Sequence, residues 1–383
     1  MNQAVVVCAK RTAIGKSGGI LKQFSPEKMA AAVINTIIEE TEIKTDEIDD
    51  VLLGNVIGPG GNIARLSLLT AGLPVSVPGV TIDRQCGSGL EAINIAARLI
   101  EAGAGEMYLA GGVESVSLAP WKMEKPLNAH TSSPRLYERA RFSPDSIGDP
   151  EMGEAAENVA EAYHITREDQ DEFALRSHQK ASAAIDSGVF HGEVVPLYDG
   201  TSEINKDECP RKKTSMRLLK RLPTIFRSGG TVTAGNSCPT NDGAAVLLIT
   251  SRKKALALGL EPLAALTDSV TSGVDPNLLG IGPVPAVEKL LQRKQRNIQS
   301  IDIMEFNEAF ASQVLASLRV LRMPEEKVNL NGGGIALGHP YGASGAVIAV
   351  RLCHEMKRGE QRCGIATMGI GGGMGIASMF EKV

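Results

Sequence analysis

One succession of elements occurs twice in the sequence and restricts the fold more than any other feature. Its first copy is a strand, a glycine-rich turn, a helix and a strand ending in glycines, at 80–82, 86–89, 90–100 and 107–112. Its second copy has the same elements in the same order, at 328–330, 342–345, 346–356 and 365–373. Repetition of four elements in one order predicts an α/β protein built from two duplicated halves.

The sequence between the two copies has a different character. Residues 117–241 contain proline-bearing loops, a charged helix at 166–185 and a basic tract. A segment of this length inside a compact protein is usually a lid or a binding loop. We therefore predict an inserted loop (lid) domain at 117–241, an N-terminal half at 1–116 with about 242–262, and a C-terminal half at 263–383.

The composition argues against several classes of function. A net charge of −4 gives no support for nucleic-acid binding, and no apolar run reaches the roughly 20 residues that cross a bilayer. The N-terminus lacks the charged and then apolar order of a signal peptide. The six cysteines show no metal-ligand spacing, so we expect free thiols, no metal site, no membrane association and a cytoplasmic location.

Cys86 is the strongest candidate for a catalytic residue. It stands in Cys-Gly-Ser-Gly between a predicted strand and a predicted helix, where the unpaired N–H groups of the helix start favour a thiolate. This position predicts a nucleophile with a lowered pKa. The alternative is a buried cysteine that packs as a small apolar side chain.

His339 and Asn307 are candidates for the groups that assist this thiol. His339 precedes the second glycine-rich turn, so the duplication predicts that it lies opposite Cys86, where it could accept the thiol proton. Asn307 stands in Asn-Glu-Ala-Phe, where its amide could polarise a carbonyl oxygen. A structural role for the histidine and a helix N-cap for the asparagine are the alternatives.

The inserted segment also carries a basic tract. It begins at Arg211 and includes Lys220 and Arg221. Charged side chains of this kind can hold the phosphates of a nucleotide-like carrier, although a solvated surface is the common alternative.

Taken together, these motifs resemble those of the thiolase family over nearly the whole chain. The resemblance rests on Cys-Gly-Ser-Gly at 86–89, Asn-Glu-Ala-Phe at 307–310 and Gly-His-Pro-Tyr-Gly-Ala-Ser-Gly at 338–345. It implies two thiolase-like halves packed as layered sheets and helices, with a loop domain that covers coenzyme A. Coenzyme A and acyl-CoA would be substrates, with no permanently bound cofactor.

The resemblance also implies roles for individual residues. Cys86 would be acylated, and His339 would activate it and form one oxyanion hole with a water held by Asn307. The N–H groups of Cys86 and Gly371 would form the other. Coenzyme A would contact a set of residues that combines the basic tract with the pantetheine site, namely Met152, Arg211, Lys220, Arg221, Phe226, Ala234, Cys238, Ala309, Phe310 and His339.

The chain departs from the family pattern at Gly369. Thiolases usually have a second cysteine there, which moves a proton off acetyl-CoA during carbon–carbon bond formation and returns it during thiolysis. Cys238 stands where similar thiolases often have serine, so we hypothesise that it supplies the missing thiol; structural packing is the alternative. Glu151 also replaces a histidine that often precedes the methionine at position 152.

Three functions therefore follow from the sequence. The first is a thiolase-type acyltransferase that forms an acyl-Cys86 intermediate and passes the acyl group to coenzyme A or to acetyl-CoA. The second is an acyl-CoA hydrolase or a transferase without Claisen chemistry, because of Gly369. The third is a non-catalytic coenzyme A-binding partner subunit. The resemblance further implies a homodimer or homotetramer, and strand 80–82 suits pairing across a subunit interface.

Overall fold

The computed structural model describes residues 2–126, 133–137 and 139–383. Its strands are Ala4–Thr12 (β1), Gly15–Lys16 (β2), Asp50–Gly54 (β3), Gly79–Ile82 (β4), Met107–Glu114 (β5), Lys122–Glu124 (β6), Arg135–Tyr137 (β7), Val194–Val195 (β8), Leu197–Tyr198 (β9), Glu203–Ile204 (β10), Asn241–Ser251 (β11), Ala264–Gly273 (β12), Ile303–Phe306 (β13), Cys363–Ile370 (β14) and Met374–Glu381 (β15).

The helices lie between these strands as the alternating pattern predicts. They are Pro26–Thr41 (α1), Ile63–Thr70 (α2), Ser88–Ala102 (α3), Met152–Ala162 (α4), Arg167–Asp186 (α5), Met216–Leu219 (α6), Arg252–Ala257 (α7), Pro283–Arg293 (α8), Ala311–Leu321 (α9), Gly334–Leu337 (α10) and Tyr341–Arg358 (α11). No helix in the described parts of the chain is both long enough and apolar enough to span a bilayer.

The main sheet repeats one strand order in its two parts. The N-terminal part runs β4-β3-β5-β11-β1, with the first three strands parallel and the next pairings antiparallel. The C-terminal part runs β13-β14-β15-β12 with matching directions, and Val328 forms a parallel bridge to Met304 at the position equivalent to β4. The prediction of an α/β fold with duplicated halves is confirmed.

The prediction of a strand at 328–330 is wrong. Residues 328–330 form only the single bridge at Val328, because Asn329 adopts the left-handed backbone conformation with φ 46° and ends the extended chain. The Asn329 side chain accepts a hydrogen bond from the Phe306 N–H and donates one to the Phe306 carbonyl, both at 2.8 Å. The Asn329 side-chain amide therefore makes the hydrogen bonds to Phe306 that the backbone of a longer strand would have made.

Two helices occupy the centre of the molecule. The largest core cluster joins Ile93 of α3 and Val347 of α11 to Leu247 of β11 and Met368 of β14, so both helices lie between the two parts of the sheet. Separate clusters pack α1 and α2 against the N-terminal strands and α8 and α9 against the C-terminal strands. Burial of apolar faces in these layers is the main source of stability.

The segment 117–241 is anchored to the N-terminal half through a buried arginine. Arg11 on β1 forms ion pairs with Glu193 at 2.8 Å and with Asp207 at 2.7 Å, and all three side chains are buried. β8 also pairs with β1 beside this cluster. Since removing one partner from a buried charge cluster leaves an unpaired charge, this contact holds the inserted segment firmly.

Candidate active site

Cys86 lies in the tight turn between β4 and α3. The Ser88 hydroxyl accepts a hydrogen bond from the Arg84 N–H at 2.8 Å and donates one to the Gln85 carbonyl at 2.5 Å. A Cβ atom on Gly87 would lie 2.5 Å from Cδ1 of Ile370, so a side chain at this position would have to displace the buried Ile370 side chain. The turn thus holds the partly buried Cys86 against the end of β14.

The pKa of Cys86 differs from the expectation of a lowered value. Burial raises it to about 11, although the nearby backbone N–H groups of Gly371 and of Cys86 itself act to lower it. The Glu114 and Asp83 carboxylates add to the increase. The prediction of a low pKa was wrong because desolvation outweighs the effect of the helix start, so the resting thiol is protonated at neutral pH.

His339 lies in the equivalent turn of the second half. It stands two residues before the first residue of α11, as Cys86 stands two residues before the first residue of α3. Its backbone N–H donates to Asn241 Oδ1 at 2.8 Å, and its Nδ1 lies 2.5 Å from Ser344 Oγ. Burial lowers the pKa of His339 to about 4, so the imidazole is neutral at pH 7.

Glycines bring the two turns together. A Cβ atom on Gly89 would lie 2.8 Å from the Gly342 carbonyl oxygen, and one on Gly345 would lie 2.5 Å from the Leu90 nitrogen. The first turns of α3 and α11 therefore touch backbone to backbone, as only glycine permits. The thiol turn and the imidazole turn consequently open onto the same region between the halves.

The Asn-Glu-Ala-Phe segment connects β13 to α9. Asn307 is 3% exposed, and its N–H donates to the Thr367 carbonyl at 3.1 Å. Its alternative interpretation as a helix N-cap is wrong, because α9 begins at Ala311 and Phe310 occupies the N-cap position. The Glu308 carboxylate accepts hydrogen bonds from Ser177 at 2.6 Å and from Asn329 at 2.8 Å. These two bonds hold the segment in place.

Cys238 belongs to the same region. Its N–H donates to the Ala309 carbonyl at 2.9 Å, and Ser237 forms a bridge with Phe310. Burial raises the pKa of the Cys238 thiol, and a thiolate at Cys86 would raise it further. The two thiols are therefore near enough to interact electrostatically, but both resist ionisation.

The end of β14 is covered by side chains that the sequence did not single out. A Cβ atom on Gly369 would lie 2.2 Å from Nε2 of Gln313, which is 3% exposed. One on Gly371 would lie 2.8 Å from the ring of Phe142, whose face is stacked on the Arg139 guanidinium at 4.8 Å. Neither residue lies near Gly369 or Gly371 in sequence, so only tertiary structure reveals these contacts.

The residues expected at the pantetheine site come together in part. The rings of Phe226 and Phe310 meet edge to face at 6.1 Å, and Phe226 also lies against Gly153, the neighbour of Met152. Ala234 lines a cavity of about 250 Å³ together with Arg211. This aromatic corner adjoins the segment that carries Cys238 and Ala309.

The basic tract surrounds a larger cavity. Arg211 and Arg221 line about 770 Å³ together with Leu218 and Leu222. Lys220 is not among the lining residues and instead forms an ion pair with Glu168 at 2.7 Å. At position 151, which differs from the family pattern, Glu151 pairs with Arg139 at 3.2 Å.

Fold and site together define a class of duplicated α/β proteins that carry a cysteine and a histidine before their two central helices. The thiolase N-terminal domain model matches residues 4–253, and the thiolase C-terminal domain model matches residues 260–382. The chain belongs to the thiolase family.

Three similar proteins illustrate this relationship. A putative acetyl-CoA C-acetyltransferase VraB of Staphylococcus haemolyticus is 49% identical, covering 100% of this chain and 99% of the relative. The protein of the same description from Staphylococcus aureus (strain MRSA252) is 48% identical over 100% of both chains. The crystal structure of the Bacillus anthracis acetyl-CoA acetyltransferase is 40% identical, covers 100% of this chain and 99% of its own, and has a TM-score of 0.94.

Proposed function

We propose that the protein is an acyl-CoA acyltransferase of the thiolase type, which forms an acyl-Cys86 intermediate and passes the acyl group to coenzyme A or to the carbanion of acetyl-CoA. The observation that carries the proposal is the placement of the Cys86 sulfur, where the N–H groups of Gly371 and of Cys86 itself lie close enough to oppose the increase of its pKa. Two such donors suit a charged sulfur or the oxyanion of a tetrahedral intermediate. The acetyl-CoA acetyltransferase names of the relatives support the same substrate class.

In the first half-reaction, His339 accepts the proton of the Cys86 thiol. The sulfur attacks the thioester carbon, a new C–S bond forms, and the carbonyl oxygen becomes an oxyanion held by the two N–H groups. The bond to the coenzyme A sulfur then breaks, and the leaving thiolate takes the proton back from His339. The neutral state of the imidazole at pH 7 supports its role as a base.

The substrate is bound in two parts. The pantetheine arm lies along the corner formed by Met152, Phe226 and Phe310, and the phosphates bind Arg211 and Arg221 by charge-assisted hydrogen bonds. Lys220 also binds the phosphates after its ion pair with Glu168 breaks. A water held by Asn307, together with His339 in its protonated state, forms the oxyanion hole for the second thioester.

A second candidate function is acyl-CoA hydrolysis or acyl transfer without Claisen chemistry. It is favoured by Gly369, where Gln313 occupies the space of a side chain and an amide cannot exchange protons as a thiol does. Under this alternative, acylation of Cys86 proceeds and the acyl group passes to water or another acceptor. A non-catalytic coenzyme A-binding subunit would show neither reaction.

Mass spectrometry after brief incubation with acetyl-CoA tests the proposal. We expect an acetyl adduct on Cys86 that is missing in the Cys86→Ala variant, together with thiolysis of acetoacetyl-CoA in the same samples. An adduct without thiolysis would favour the second candidate. Binding of coenzyme A without an adduct would leave only the non-catalytic function.

We also propose a homodimer or homotetramer in the cytoplasm. β4 ends the strand order of the main sheet, and Val80 on β4 is 40% exposed beside Leu66 and Leu69 on α2, which are 47% and 41% exposed. An apolar edge strand of this kind suits pairing with a second copy. All six cysteines are free, which fits a reducing compartment.

A further inference from the structure

A buried serine lies against the imidazole of His339. Ser344 is 2% exposed and stands in the first turns of α11. Its Oγ atom lies 2.5 Å from His339 Nδ1 and 2.9 Å from the Pro340 carbonyl oxygen. Both contacts are within hydrogen-bonding distance, so each of them requires a proton.

Counting protons assigns the direction of these two bonds. The Ser344 hydroxyl has one proton, and the Pro340 carbonyl can only accept. If the hydroxyl donated to Nδ1, its oxygen would face the Pro340 oxygen with no proton between them. Both contacts are satisfied only when the hydroxyl donates to Pro340 and Nδ1–H donates to the hydroxyl.

We propose that Ser344 is a positioning residue that fixes the tautomer of His339, with the proton on Nδ1 and the lone pair on Nε2. This inference rests on the proposed function, in which His339 accepts the Cys86 proton. Because Nδ1 is bound to Ser344, Nε2 is the nitrogen that remains for the thiol. The opposite tautomer would present an N–H group to the thiol and could not accept its proton.

The same contact also steadies the imidazolium that forms when Cys86 gives up its proton. Ser344 Oγ continues to accept from Nδ1–H in that state, and the Asn241 amide holds the backbone of His339 at 2.8 Å. The Tyr341 ring packs edge-on at 5.1 Å from the imidazole, and Glu114 accepts from the Gly342 N–H at 3.0 Å nearby. Ser344 therefore supplies the hydrogen bond that orients the ring for both protonation states.

Nitrogen-15 NMR of histidine-labelled protein tests the tautomer directly. The protein has six histidines, and the His339→Gln variant identifies the signals of His339. We expect a proton on Nδ1 and an unprotonated Nε2 in the wild-type protein at neutral pH. A proton on Nε2 would overturn the inference, whatever the activity of the protein.

Single-turnover acylation of Cys86 tests the functional consequence. A general base contributes about 10²- to 10⁴-fold, and Ser344 acts only through this base, so we expect Ser344→Ala to slow acylation by about 10- to 100-fold. The affinity for coenzyme A should stay unchanged. Ser378→Ala is a matched control, because it removes another buried hydroxyl, which donates to Asn94 at 2.7 Å, and it should alter the rate less than about twofold.

The outcomes separate this inference from the proposed function. Acylation of Ser344→Ala at the wild-type rate would overturn the positioning role. If wild-type protein forms no acyl-Cys86 at all, the proposed function fails, and the NMR measurement still decides the tautomer. The wild-type NMR spectrum likewise decides it if Ser344→Ala does not fold.

Discussion

Replacing Gly369 with cysteine tests whether a missing thiol limits carbon–carbon chemistry. The new Cβ atom would lie 2.2 Å from Gln313 Nε2, 3.3 Å from its Cδ and 3.5 Å from the Leu279 carbonyl oxygen. The amide must therefore move by at least about 1.3 Å to reach an ordinary contact distance of about 3.5 Å. Because Nε2 is the far end of a flexible side chain, this movement costs about 0.5–1.5 kcal/mol rather than the larger cost of shifting backbone.

The expected gain is larger than this cost. Proton transfer by a positioned side chain contributes about 10²- to 10⁴-fold, which corresponds to about 2.7–5.4 kcal/mol of barrier. We therefore expect Gly369→Cys to fold and to accelerate acetoacetyl-CoA thiolysis by at least about tenfold, even if the new thiol is imperfectly placed. Acylation of Cys86 by acetyl-CoA should change less than about twofold, because that half-reaction does not use the second thiol.

Two variants separate chemistry from packing. Gly369→Ala displaces the Gln313 amide in the same way without adding a thiol, and it should not accelerate thiolysis. The double variant Gly369→Cys with Gln313→Ala provides the space if the single variant is unstable. All reactions are run with a reductant, so that Cys86 stays free. Thiolysis by Gly369→Cys that is no faster than by Gly369→Ala would refute the argument that a thiol at this position is what the chain lacks.

Three further predictions concern ionisation and packing. Since the pKa of Cys86 is about 11, alkylation of Cys86 by iodoacetamide should accelerate about tenfold per pH unit from neutral pH to about pH 10; a plateau below pH 8 in a mass-spectrometric time course would contradict this. Burial raises the pKa of Glu305 to about 8, although Arg351 lies 3.6 Å away. Glu305 therefore keeps its proton in the folded state at pH values where the unfolded chain releases it. This contribution to the free energy of unfolding is fully present in acid and should be lost as the pH rises towards about 8. Glu305→Gln should flatten that part of the pH dependence of urea unfolding, and equal slopes in both proteins would argue against it. Gly89→Ala would place Cβ 2.8 Å from the Gly342 oxygen, so it should lower the free energy of unfolding by about 1–3 kcal/mol and slow acylation of Cys86. Gly273→Ala, whose nearest neighbour is 3.9 Å away, is the matched control, and equal effects of the two substitutions would contradict the packing argument.

The sequence predicted the elements that depend on local pattern. Helices expected at 90–100 and 166–185 occur as Ser88–Ala102 and Arg167–Asp186, the second with a capping box between Thr166 and Asp169. The order of elements around the two glycine-rich turns was also predictable, because each turn combines glycines with a following helix. The boundaries proposed for the inserted loop domain stay a prediction.

Features that depend on burial or on tertiary contact were not predictable. The helix start at Cys86 indicated a low pKa, and only the packing around the sulfur showed that desolvation dominates. The strand expected at 328–330 ends because of the conformation of Asn329, which hydrophobicity does not report. Gln313 reaches Gly369 from another helix, and no spacing in the sequence links them.

The duplication explains why the resting site is uncharged. Each half places its candidate catalytic side chain two residues before a central helix, and burial acts on both, raising the pKa of Cys86 to about 11 and lowering that of His339 to about 4. A thiolate–imidazolium pair without substrate would have to remain charged in this buried space, which is costly. Two groups already in place can stabilise the charged state. The Gly371 N–H faces the negative sulfur, and Ser344 Oγ accepts from the positive imidazolium. Under the proposed function, proton transfer is therefore coupled to the arrival of an acyl group, because acylation would remove the negative charge from the sulfur as soon as it forms.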